Sequence, residues 1–162
     1  TFRPEHLNDA FLVFAATNDR TVNATVATLA QSNGYLVNVA DASDEGDLHL
    51  PAVIRRGRLS VAIATDGTSP ALSARLRDKI ARIFGPEWAT VGEIVAALRR
   101  KQLTVNKGTA YNSAVVSRLL DDDLPGCVAA GDEAAVNRLL TRIAGHETTL
   151  AALGIRLEKG TT

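Results

Sequence analysis

At 162 residues with 46% hydrophobic side chains, the chain is sized for one domain or a small two-part unit with a packed core. No apolar run approaches the roughly 20 residues of a spanning helix, and the opening TFRPEHLNDAF lacks the apolar stretch of a signal peptide, so a cytoplasmic protein with no membrane or nucleic-acid partner is expected. The single cysteine, Cys127, excludes an intramolecular disulfide and a cysteine-built metal site. Zero net charge hides an uneven spread: residues 1–50 hold two basic against seven acidic side chains, residues 51–110 eleven against four.

Ala10–Ala16, AFLVFAA, is a continuous apolar run of the kind shown by a strand buried on both faces of a parallel sheet. Residues 17–34 then repeat Val22, Val26, Leu29 and Ala30 at helical spacing, with Gly34 as the stop. A second apolar run, Tyr35–Val39, completes a strand–helix–strand unit, which belongs to a parallel sheet. After Asp41 comes an acidic loop and then two strand-like runs, LPAVIRR and RLSVAIAT, joined through Gly57 closely enough to make a hairpin.

From Ser69 onward the pattern is helical. Ser69 at the cap and Pro70 at the first position lead a stripe of Leu72, Leu76, Ile80 and Ile83 up to Gly85. A second helix from Pro86 carries Trp88, Val91, Ile94, Val95 and Leu98, and Lys107-Gly108-Thr109 breaks the pattern. Further helices are predicted at 113–120 and 132–144, with a short one at 147–153. The expected architecture is α/β: a partial Rossmann-type parallel sheet (1–46), a hairpin and helix segment for dimerisation (47–84), and a helical C-terminal domain (85–162). An open half sheet and a two-stranded ribbon need a partner, so a homodimer joined through the hairpin and the helices after Ser69 is expected.

Ligands of an open parallel sheet bind beyond the carboxyl ends of its strands. Ala15, Ala16 and Thr17 end the first strand and Asp41 lies just past the second, so both should border one crevice. The small residues would let a flat cofactor approach the backbone; equally, they could simply pack under the helix. Asp41 lies in VADASDEGD among further carboxylates, an arrangement that suits proton abstraction, can accept a divalent cation, or describes a solvated acidic loop. His49, alone between two leucines, reads as structural, and no metal site is expected. Asp66-Gly67-Thr68-Ser69-Pro70 leads from a strand into a helix, where free backbone amides can take an anion or Ser69 can act as a cap.

AATNDRTVN (15–23), VNVADAS (37–43), LPAVIRRGRLSVAIATDGTSPALSARLR (50–77) and LPGCVAAGDEAAV (124–136) together resemble the precorrin-2 dehydrogenase / sirohydrochlorin ferrochelatase family, also found as the N-terminal part of siroheme synthases. The resemblance implies NAD-dependent oxidation of precorrin-2 to sirohydrochlorin, with ferrous iron insertion as a second activity. It implies Asp41 as general base and participant in metal insertion, Ala15, Ala16 and Thr17 as lining of the NAD pocket, and Ser69 beside the tetrapyrrole. Thr68, Arg55 and Arg56 join Ser69 as expected substrate contacts, because basic side chains can hold the carboxylates of the tetrapyrrole. Family members open with a strand and a glycine-rich phosphate-binding turn that has no counterpart in the 162 residues, so the first Rossmann half is expected to be missing. The alternatives are a non-catalytic dimerisation and tetrapyrrole-binding remnant, or a half-Rossmann domain for another nucleotide.

Overall fold

Asp19 opens the first helix: its carboxylate accepts from the backbone amides of Thr21 and Val22, at 2.9 and 3.3 Å, which satisfies two donors that have no partner inside the helix. In the computed structural model, which describes residues 2–105 and 113–157, that helix (α1, Arg20–Ser32) joins strands β1 (Leu12–Ala15) and β2 (Leu36–Val39). The two strands pair in parallel with Leu12 opposite Leu36 and Ala15 opposite Val39. The chain leaves α1 through Gly34 at φ +76°, where the Tyr35 amide reaches back to the Ala30 carbonyl at 2.9 Å and the Gly34 amide to Gln31 at 3.0 Å. This places β2 directly after the helix stop, as the sequence predicts.

Strands β3 (Ala52–Arg56) and β4 (Leu59–Ile63) form the expected hairpin around Gly57 and Arg58. Gly57 has φ +55° at the first turn position, a region that favours glycine, and this matches a type II′ turn. The helices are α2 (Pro70–Ile80), α3 (Glu87–Val105), α4 (Ser113–Asp121), α5 (Leu124–Ala129), α6 (Glu133–Ala144) and α7 (Leu150–Leu153). The predicted break at Lys107-Gly108-Thr109 lies outside the described residues. None of the described helices is long and apolar enough to cross a membrane.

The chain divides into two compact units, residues 1–53 with 62–78 and residues 54–61 with 79–162, each with its own core. In the first, Val13, Ala15, Val37 and Val39 of the sheet pack on Val26 and Ala30 of α1. In the second, Ile94 and Leu98 of α3 meet Leu119, Leu124, Val136 and Leu140 from α4, α5 and α6. The apolar stripe read on the second predicted helix is therefore the face that α3 buries.

Two expectations are corrected. Strand β1 is buried on one face only: Val13 and Ala15 point into the core, while Leu12 and Phe14 alternate outward with Phe14 52% exposed, so the apolar run is a half-covered strand among the described residues. On α2 the buried position is Ser73, not the predicted stripe, and Leu72 is 50% exposed. Ser73 is buried because its hydroxyl lies 3.1 Å from Thr65 Oγ1, which satisfies it away from water.

Candidate functional site

Asn23, fully buried on the inner face of α1, ties the ends of both parallel strands together. Its Oδ1 accepts from the Thr17 amide at 2.8 Å and the Thr17 hydroxyl at 2.7 Å. Its Nδ2 donates to the Thr17 carbonyl at 3.0 Å and to Asp41 Oδ1 at 2.9 Å. Two donors and two acceptors are all used, as burial of an amide demands. The other carboxylate oxygen, Asp41 Oδ2, lies 3.8 Å from Arg20 Nε at the start of α1, and Arg20 also pairs with Glu45. Asp41 thus stands past β2 with one oxygen fixed and its side chain still open to solvent.

Two other acids of the loop, Glu45 and Asp47, are separately employed. Asp47 accepts from the Val37 amide at 3.1 Å and donates its own amide to the Val37 carbonyl at 2.8 Å, so the loop folds back along β2. A side chain at Gly46 would come within 2.9 Å of the Val37 carbonyl, so this close passage requires glycine. Among the described residues no group of three or more His, Cys, Asp or Glu side chains could hold a metal ion.

Beyond β2, still within the first unit, lies a cavity of about 340 Å³ whose polar lining comes from Asn38, Ser43, His49, Thr65 and Ser73. Its floor is set by the Thr65–Thr68 turn, in which Asp66 and Gly67 have φ +50° and +74° and the Thr68 amide reaches the Thr65 carbonyl at 2.9 Å. The Ser69 amide donates to Thr65 Oγ1 at 3.1 Å, and the Ser69 hydroxyl accepts from the Leu72 amide at 3.2 Å. Ser69 is therefore the cap of α2, and Thr65 and Ser73 are the hydroxyls of this turn that line the cavity. The volume is at the low end for small-molecule sites.

The remaining expected residues divide. Ala16 and Thr17 are exposed past β1, whereas the Ala15 side chain is in the core and its carbonyl takes the Ala40 amide at 3.0 Å. Thr68 is exposed on the turn, and Arg55 is exposed on β3 in the second unit. Arg56, in that same unit, donates to the carbonyls of Phe84 at 2.8 Å, Ala81 at 3.2 Å and Arg55 at 3.1 Å, tying down the chain after α2. Sequence reasoning missed Asn23, Arg20, Asn38 and Thr65. The signal for Asn23 was available: an amide on the buried face that continues through Val26, Ala27 and Ala30.

A parallel strand–helix–strand with a carboxylate beyond its second strand and small residues beyond its first has the arrangement met in Rossmann-type dinucleotide-binding units. Residues 1–52 match the family model described as "Putative NAD(P)-binding", and residues 56–83 match "Sirohaem biosynthesis protein central". Siroheme synthase 1 of Aeromonas salmonicida (strain A449) is 32% identical over 148 residues, covering 91% of this chain and 32% of that protein. Precorrin-2 dehydrogenase of Priestia megaterium is 30% identical over 118 residues, 73% of this chain and 58% of that enzyme. The solved structure of SirC, precorrin-2 dehydrogenase, superposes with a TM-score of 0.66 at 27% identity, covering 86% of this chain and 66% of that one. The chain is similar to precorrin-2 dehydrogenases and siroheme synthases, and it spans less than two thirds of the length of these relatives.

Proposed function

We propose that this chain carries the base-bearing part of a site that oxidises precorrin-2 to sirohydrochlorin with NAD, and that the same site takes part in ferrous iron insertion. The observation that supports it most is the pairing of Asp41 with the end of β1 through Asn23, next to a cavity beyond the carboxyl end of β2. Ala16 and Thr17 suit a flat dinucleotide ring: they are exposed, and Ala16 presents nothing larger than a methyl group.

NAD, when bound, supplies the hydride acceptor. The substrate must then lose a proton as well, and Asp41 is the group on this chain placed to take it. One edge of the tetrapyrrole enters the cavity, where Thr65, Ser73 and Asn38 orient it. Thr68, exposed on the same turn, is positioned to meet a substrate carboxylate. Iron is a substrate here, and Asp41 is its proposed participant through the family resemblance. The decisive experiment is turnover of precorrin-2 by the native gene product and by its Asp41→Asn variant. The non-catalytic alternative gives tetrapyrrole binding without turnover in either protein.

The homodimer is also proposed. Its support is the two-stranded hairpin, whose outer edges meet no further strand among the described residues, and the exposure of Leu72 and Ile83, at 50% and 69%, on the segments expected to join the subunits.

A further inference from the structure

We propose that Asn23 is a positioning residue for the oxidation: it dictates which oxygen of Asp41 receives the proton and locks that carboxylate to the strand end that carries Thr17. The inference rests on the reading of Asp41 as the base.

An asparagine amide is ambiguous in most settings, because its oxygen and nitrogen can be exchanged by a half turn. Here the backbone of Thr17 removes the ambiguity. The Thr17 amide can only donate, so the atom 2.8 Å from it is the Asn23 oxygen; the Thr17 carbonyl can only accept, so the atom 3.0 Å from it is the nitrogen. With that orientation fixed, Asn23 turns an N–H, and nothing else, toward Asp41 Oδ1 at 2.9 Å. Oδ1 is thereby held as an acceptor through the reaction. The incoming proton goes to Oδ2, whose charged neighbour is Arg20 Nε at 3.8 Å, too far for a hydrogen bond to compete for that oxygen.

The same amide also couples two parts of the site. Thr17 follows β1 and Asp41 follows β2, and a single side chain from α1 contacts both, so neither shifts without the other. Because Asn23 is fully buried and has every polar atom engaged, it has no rotamer freedom left to lose when substrate binds. A displacement of the base by about 1 Å costs on the order of 100-fold in rate.

The test uses Asn23→Asp and Asn23→Ser, each alone and combined with Asp41→Asn, in the native gene product. Asn23→Asp keeps an acceptor for the Thr17 amide and removes the donor to Asp41. Asn23→Ser is too short to reach Asp41 and serves if the aspartate variant does not fold. The expected result is a kcat lowered about 10- to 100-fold with KM for precorrin-2 within about twofold of the wild type. In the Asp41→Asn background the Asn23 substitutions should cost no further turnover, although they still lower the melting temperature. A loss that multiplies in the double variants, or that falls on KM for precorrin-2 instead of kcat, overturns the proposal. Failure of both variants to fold also overturns it, because Asn23 would then be a structural requirement first. Unchanged turnover in Asp41→Asn alone refutes the base assignment, which is a different failure.

Discussion

Replacing Asp41 with Asn should remove the base while leaving the site in shape. The amide oxygen of the new side chain can take the Asn23 N–H that Oδ1 accepts at 2.9 Å, so the link to β1 survives. Its NH2 then occupies the place of Oδ2, 3.8 Å from Arg20 Nε, where donor faces donor; Arg20 retains its pairing with Glu45. The Arg20 and Asp41 side chains are 47% and 39% exposed, and such a pair contributes at most about 1 kcal/mol, so the melting temperature should fall by a few degrees at most. Loss of a general base costs about 10² to 10⁴ in rate, or roughly 3–5 kcal/mol of barrier. The catalytic effect therefore exceeds the structural one severalfold, and the two are separable. The assay is precorrin-2 turnover by absorbance beside sirohydrochlorin binding by fluorescence quenching, with Asp44→Asn as the comparison. Binding should hardly change. Normal turnover in Asp41→Asn with a collapse in Asp44→Asn would move the base to the other carboxylate; normal turnover in both would remove the loop from the chemistry.

Gly67→Ala should destabilise the protein by about 1–2 kcal/mol in urea denaturation, because φ is +74° there and the new methyl would approach His49 Nε2 to 2.8 Å; wild-type stability would show that the turn is not held in this form. Cys127 should alkylate more slowly than a free thiol at pH 8, since burial and then the carboxylates of Asp123 and Asp132 push its pKa up and lower the thiolate fraction. Asp132→Asn, which keeps the α6 cap, should speed that reaction, and an unchanged rate would discount the charge contribution. Sedimentation velocity at micromolar concentration should show a dimer, and a monomer would count against the hairpin and the helices after Ser69 as the joining surface.

Much of this fold is legible because periodicity and punctuation agree. Gly34 stops α1 where the apolar spacing ends, Gly57 turns the hairpin, and Ser69-Pro70 starts α2 with the hydrogen bond that a cap predicts. Helix α5 was not read, because LPGCVA carries Pro and Gly inside the element. It forms through tertiary packing of Leu124 and Val128 and ends at Gly131, where φ is +65° and the Asp132 amide reaches the Cys127 carbonyl at 3.1 Å. Asp41 was legible from its place after a strand. What fixes it was not, because Asn23 lies 18 positions away and becomes its neighbour only when α1 packs across both strands. The carbonyls that hold the Arg56 guanidinium were not legible either, because a sequence shows its charge but not its backbone partners.

The partition of the chain has a consequence for how it is made. The polypeptide crosses between its two units three times, after residues 53, 61 and 78, so the first unit is not a contiguous stretch. A nascent chain that has emerged only as far as β2 has the sheet and α1 but lacks the Thr65–Ser73 segment that borders the cavity. During vectorial synthesis that unit must wait for the hairpin to be translated through before its site can close. A ribosome pause within the hairpin codons would therefore prolong the interval in which Asn38 and Val39 of β2 stand without the Thr65–Ser73 side of that cavity.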